Sequence, residues 1–187
     1  MGEGEGGGGQ NEDLLVPPPL HPLPPKGGEI FGRICLINYG LLSEFVSIQG
    51  GRTMGEEDIK KILSNLKTVA VVGISPKEDR PSYIVASYLK SKGYRIIPVR
   101  PDGEEILGEK VYHRLTDIPE EIGVEVVDIF RRSEDVPPIV EEAIQRRAKV
   151  VWMQEGVIHK EAGAKAEKAG LKVVMDRCIK KEHQRLL

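Results

Sequence analysis

The chain has 187 residues and a formal net charge of −2, which suits one domain with an appendage and excludes the overall basic field that draws proteins to nucleic acid. Two cysteines far apart in sequence, Cys35 and Cys178, exclude a disulfide framework and make a reducing cytoplasm the expected compartment, and no apolar run is long enough to cross a bilayer. Charged residues make up 30% and aromatics 5%, a thermophile-like balance.

Residues 1–53 read as a flexible Gly/Pro-rich extension. "MGEGEGGGGQ" has neither the basic nor the apolar region of a secretion signal, and "GEGEGGGG" has nothing to bury against its ordering entropy. "VPPPLHPLPPKGG" favours polyproline II, as a spacer or an SH3-type ligand. "IFGRICLINYGLLSEFVSI" is apolar enough to pack but shows no clear period. Gly50-Gly51-Arg52-Thr53 stands directly before Met54, where periodic sequence begins. In a prokaryote that Gly-Gly pair can be a ribosome-binding site read as codons, so a second reading starts the natural chain at Met54.

From residue 54 to 187 helix and strand signals alternate. "EEDIKKILSNL" sets Ile59, Ile62, Leu63 and Leu66 on one helical face. "TVAVVGI" is a first buried strand, and "PSYIVASYLKSKG" a helix opened by Pro81 and stopped at Gly93. "YRIIPV" and "VEVVDIF" are the second and third strands, followed by a helix over "SEDVPPIVEEAIQRRA". "KVVWMQ" is the fourth strand, "HKEAGAKAEKAG" a helix ending at Gly170, "LKVVMD" the fifth strand and "CIKKEHQRLL" a final helix. Strands apolar on both faces, joined by helices, predict an α/β class: a doubly wound Rossmann-like domain with a five-stranded, mainly parallel sheet.

Ligands of such sheets bind beyond the carboxyl ends of the strands, so those ends carry the functional reading. After the first strand, Gly73 allows a sharp turn and Ser75 offers a hydroxyl and an N–H. Lys77 and Arg80 add positive charge beside a helix N-terminus, which already attracts anions. After the second strand, where an NAD site wants an acid for the ribose diol, the chain has Val99-Arg100. Two readings of Arg100 are open: a partner for a phosphorylated ribose, as in NADP or coenzyme A, or a surface group paired with Asp102 or Glu104. The third strand ends in Phe130-Arg131-Arg132, a second anion-friendly corner, with Phe130 either covering a ligand edge or packing in the core. Gln154 follows the fourth strand and can both donate to and accept from amides. Cys178 follows the fifth at a helix N-terminus, as a reactive or an inert thiol. His21, His113, His159 and His183 neighbour no nucleophile with an orienting carboxylate, and no metal-ligand spacing is present, so no catalytic or metal residue is assigned.

The segments "VAVVGISPKEDRPSY", "IIPVRP", "ILGEKVYHRLTDIPE", "VVDIFRRSEDV", "WMQEGV" and "VVMDRCIKKEH" occur in that order from about Asp58 to the C-terminus. Together they resemble the small stand-alone CoA-binding proteins of the bacterial and archaeal cytoplasm, which are similar to the CoA-binding domain of the succinyl-CoA synthetase alpha subunit. The resemblance implies a Rossmann-like domain that binds coenzyme A or an acyl-CoA, with no established reaction. It implies that Gly73, Ile74 and Ser75 meet the ligand's phosphates, with Lys77 and Arg80 as charge partners. Val99 and Arg100 would hold the nucleotide end; Phe130, Arg131 and Arg132 would line the ligand, Val136 would pack against it, and Gln154 would lie on the pantetheine side. The chain shows no counterpart of the ligase domain that carries the phosphorylated histidine, and its first turn lacks the ligase's glycines and threonine. The expected function is therefore a non-catalytic cytoplasmic binding or sensor module, with a homodimer as an option. An NADP-linked oxidoreductase and a partner subunit of an acyl-CoA ligase are the alternatives.

Overall fold

Val, Ile and Ala dominate five short segments, and these form the central sheet of the computed structural model, which describes Gly2 and residues 54–187. The readings made for the remaining N-terminal residues lie outside the described residues. The strands are β1 (Thr68–Val72), β2 (Arg95–Val99), β5 (Val126–Ile129), β6 (Val150–Met153) and β7 (Lys172–Val174), and a small antiparallel hairpin, β3 (Glu105–Ile106) and β4 (Glu109–Lys110), follows β2. The sheet order is β2-β1-β5-β6-β7, with every neighbouring pair parallel. From β1 the chain moves outward to β2 on one side, then crosses back to β5 on the other. The topological switch point therefore lies between β1 and β5.

Parallel strands need crossovers that bury both sheet faces, and the helices supply them. On one face lie α1 (Glu56–Asn65), α2 (Pro81–Ser91) and α5 (Ile179–Leu186). They bury Ile59, Leu63, Val85, Leu89 and Ile179 against Val69, Val71, Ile96 and Trp152. On the other face, α3 (Val136–Gln145) and α4 (Lys160–Lys168) bury Val136, Val140, Ala143, Ala162 and Ala166 against Ala70, Val72, Val127, Val151 and Met153. Odd and even strand positions serve opposite faces, as the pleat requires. Trp152 is fully buried, and its indole N–H donates to the Arg177 carbonyl oxygen at 2.6 Å, so its polar group is satisfied.

The five strands and five helices of the domain stand where the sequence pattern puts them. The β3–β4 hairpin does not follow from the pattern, because two-residue strands are too short to show alternation. It is held from outside: the Lys90 ammonium reaches the Leu107 carbonyl oxygen at 2.5 Å and the Glu109 carboxylate at 2.8 Å. No helix among the described residues is long and apolar enough to cross a membrane.

Candidate functional site

The strand register builds the site. Val72 is aligned with Val99 on one side and with Ile129 on the other, so β1, β2 and β5 end level. Gly73, Arg100 and Phe130 therefore emerge side by side at the carboxyl edge, astride the switch point. The Gly73 N–H donates to the Val99 carbonyl oxygen and the Phe130 N–H to the Val72 carbonyl oxygen, both at 2.8 Å, which extends the ladder one step past the strands. Gly73 then turns at φ +86°. A Cβ there would stand 2.6 Å from the Phe130 carbonyl oxygen and 3.1 Å from the Arg131 side chain, so only glycine fits both the turn and the space.

Beyond Gly73 the loop is tied to the first turn of α2. The Ser75 N–H donates to the Ser82 hydroxyl oxygen at 3.0 Å, and the Lys77 N–H to the Ser75 hydroxyl oxygen at 3.2 Å. Pro81 opens the helix at a position where a missing N–H costs nothing, but no side chain caps the turn and no acid sits in it. Within that turn nothing compensates the positive end of the α2 dipole, and Glu78 and Asp79 stand in the loop just before it. Lys77 and Arg80 are exposed beside it, and no carboxylate of the described residues pairs with either.

Arg100 is held from its backbone, whose N–H donates to the Tyr112 carbonyl oxygen at 2.9 Å. Its side chain is only 22% exposed. The nearest carboxylate, Asp102, is 3.9 Å away and itself 82% exposed, too distant for a hydrogen bond. The Arg100 Nε is buried and has no hydrogen-bond partner. A buried guanidinium donor left without an acceptor is costly, and Arg100 also lines the adjoining cavity.

That cavity, about 590 Å³, is lined by Gly73, Ile74, Ser75, Lys77, Arg80, Ser82, Arg100, Phe130 and Arg131, among others. Arg131 and Pro101 also line a second cavity of about 440 Å³ on the α3 face of the sheet. Its wall includes apolar Val72, Val99, Leu115 and Ile139, with His113, Arg114 and Arg132 among its polar groups. Arg114 is committed to Glu142 at 2.7 Å, and Arg132, 77% exposed, to Glu134 at 2.6 Å and Asp135 at 3.4 Å. Arg131 pairs with no carboxylate of the described residues.

The structure thus gathers Gly73, Ile74, Ser75, Lys77, Arg80, Arg100, Phe130 and Arg131 around one cavity and sets Val99 and Arg132 beside the next. It brings neither Val136 nor Gln154 into those linings. Val136 is fully buried in the core. Gln154 is 4% exposed, and its Nε2 donates to Oδ1 of Asp128 at 2.7 Å. Asp128, in the middle of the sheet, is fully buried, and its Oδ2 has no partner. Burial pushes its carboxyl up to about 7, opposed in part by the Gln154 hydrogen bond. Sequence reasoning assigned no binding role to Ser82, Pro101, His113 or Leu115. Ser82 was traceable in principle, as the residue after Pro81 in the first turn of a helix that follows the glycine turn. Leu115 and His113 lie in an irregular connection, where no period marks which side chains turn inward. Among the described residues no cluster of side chains could hold a metal ion.

A family model described as a CoA binding domain matches residues 67–184. The uncharacterized protein YneT of Bacillus subtilis is 41% identical over 126 residues, 67% of this chain and 92% of its own. The solved structure of a hypothetical protein from Pyrococcus horikoshii OT3 is 43% identical with a TM-score of 0.69, covering 74% of this chain and 99% of that one. An ADP-forming acetate–CoA ligase II from Archaeoglobus fulgidus is 31% identical over 111 residues, 57% of this chain but 16% of the ligase.

Proposed function

The chain belongs to the CoA-binding-domain family, and on that premise we propose that it holds coenzyme A or an acyl-CoA across the carboxyl edge of β2, β1 and β5, as a binding or sensor module of the cytoplasm. The observation that carries this reading is the cavity that collects Lys77, Arg80, Arg100 and Arg131, none of them within hydrogen-bonding distance of a described carboxylate. Coenzyme A brings a pyrophosphate and a separate ribose phosphate, and four cations against the single lining carboxylate, Asp102, suit that charge. Gly73 brings the backbone close enough for the Ser75 loop and the uncapped start of α2 to meet the pyrophosphate. Arg100 would take the ribose phosphate. The second cavity, apolar at Val72, Val99 and Leu115, suits an adenine ring, with Arg131 between the two ligand parts.

In this reading Gln154 and Val136 support the site from behind rather than by contact. Asp128 orients the Gln154 amide at the end of β6, and Val136 anchors the start of α3 under the Phe130–Arg132 corner. Lys77, Arg80, Arg100 and Arg131 are binding groups, and no bond-making is asked of them. Calorimetric titration with coenzyme A and with dephospho-coenzyme A tests the proposal. One ligand per chain, with tighter binding of the form that keeps its ribose phosphate, is the expected result. Heat from neither ligand would reject it.

Arg100 fits the 2′-phosphate of NADP by the same chemistry, which keeps a nicotinamide cofactor as a second reading. Titration with NADP separates the two. A role as partner subunit of an acyl-CoA ligase draws on the likeness to the Archaeoglobus fulgidus enzyme, of which this chain spans 16%.

A further inference from the structure

The five-stranded sheet has two edges, and they are treated differently. The outer edge of β2 is covered by Tyr112, whose N–H donates to the Pro98 carbonyl oxygen at 3.0 Å and whose carbonyl oxygen accepts from the Arg100 N–H at 2.9 Å. Among the described residues no strand pairs with the outer edge of β7. A groove of about 500 Å³ runs along that edge, lined by Val173, Val174 and Met175 on the strand side and by Lys160, Ala164 and Glu167 of α4; Met54 completes the lining with Asp176 and Arg177, which are engaged by the Gly156 N–H and by Glu182. Ile158, 46% exposed, also lines it. On the inner side of α4 the Met175 methyl group lies where a Cβ on Gly163 would stand, so α4 sits close to that side chain.

Lys160, Ala164 and Glu167 follow one another at spacings of four and three, so they form a single stripe along α4. The stripe is basic at one end, acidic at the other, and small in between. Neither Lys160 nor Glu167 has an ion-pair partner among the described residues, although their neighbours His159, Glu161 and Lys165 do. An antiparallel copy of the same stripe would set each Lys160 against Glu167 of the second copy, with the two Ala164 residues facing at the axis. A ligand with one sign of charge, or with none, would match only half of it.

We infer that this groove is the interface between two copies of the chain, related by a twofold axis near Ala164 that packs α4 against its own copy and brings the two open β7 edges alongside. A twofold contact uses the same patch on both partners, which is what a self-complementary stripe provides. The apolar floor supplies the burial and the two Lys160–Glu167 pairs fix the register. This assignment does not depend on the ligand, since the groove lies on the β7 side of the sheet and shares no lining residue with either cavity at the switch point.

Sedimentation velocity of the full chain over a range of concentrations tests it. The chain is expected to sediment as a dimer, and Ile158→Asp to sediment as a monomer. Lys160→Glu and Glu167→Lys should each raise the dimer dissociation constant about tenfold, because each creates two like-charge contacts. The double variant K160E/E167K should restore the dimer, since it reverses the stripe without removing its complementarity. Ile158, Lys160 and Glu167 are all exposed, and circular dichroism checks that each variant is folded. A chain that is monomeric at every concentration overturns the inference. So does a dimer indifferent to Ile158→Asp and to both single charge reversals, or a double variant that stays as dissociated as the singles.

Discussion

Gly73 and Phe130 meet so closely at the switch point that a Cβ on Gly73 would lie 2.6 Å from the Phe130 carbonyl oxygen. Two constraints coincide there, the contact and a φ of +86°. Gly73→Ala is therefore expected to destabilise the fold by about 2 kcal/mol, because a left-handed backbone and a steric clash are imposed together. Since the strand ends must part to relieve the clash, coenzyme A affinity should fall as well. Chemical denaturation of the variant, with titration of its folded form, measures both. A variant as stable as the parent would mean that the turn is not held as described.

Arg100→Ala removes the buried donor that has no partner within the chain. Because that donor costs the apo protein, the loss of fold stability should be small. The loss of binding should be ten- to a hundredfold for coenzyme A, as expected for a hydrogen bond to a charged group, and much smaller for dephospho-coenzyme A. Equal losses for the two ligands would remove Arg100 from the ribose phosphate.

The two arginines after β5 should behave unequally. Arg131 lines both cavities and pairs with no described carboxylate, whereas Arg132 is 77% exposed and already bound to Glu134 and Asp135. Arg131→Ala is expected to weaken coenzyme A binding about tenfold or more, and Arg132→Ala by a few-fold at most. Parallel titrations decide it, and a larger effect at Arg132 would contradict the geometry.

Asp128 gives the fold a pH signature. Its carboxyl rises from the ordinary 3.8 to about 7, with burial as the leading cause. Between those values the folded protein keeps a proton that the unfolded chain has released, so stability falls as pH rises through the window and is lowest above about 7. The penalty at full ionisation is on the order of 4 kcal/mol. Asp128→Asn should be more stable than the parent at pH 8, with the advantage shrinking toward pH 4. The difference between the two proteins isolates Asp128. His183, lowered by burial and by the Lys67 and Lys92 charges, contributes stability with the opposite slope in both. Denaturation curves at four pH values suffice, and a pH-independent difference would show that the carboxyl does not titrate in that window.

Much of this was open to reading in the chain itself, and the reasons are physical. Strands such as Thr68–Val72 and Val150–Met153 are buried on both faces, so they stand out as nearly continuous apolar runs, and the alternation with helices fixes a parallel sheet. Gly73, Ser75, Lys77 and Arg80 could be found because a Rossmann-like sheet puts function at the carboxyl ends of strands, and the end of β1 can be located by its last valine. What could not be read was where side chains turn. Gln154 follows β6 as the pattern requires, yet its amide points to Asp128, and nothing in "VVDIF" announces that its aspartate is buried beneath the sheet surface. Arg100 illustrates the reverse. Both readings left open for it are present in part, since Asp102 lies 3.9 Å away, but only the coordinates reveal that Nε is sealed from water without a partner.

The most direct measurement is the thermal stability of the full chain with coenzyme A, dephospho-coenzyme A, NADP and NAD in parallel. A ligand at a hundredfold its dissociation constant adds about 2.7 kcal/mol to the folded state, which shifts the midpoint by several degrees. The account predicts the largest shift with coenzyme A, a smaller one with dephospho-coenzyme A, and little with NAD. A larger shift with NADP than with coenzyme A, or no shift with any of the four, would contradict it.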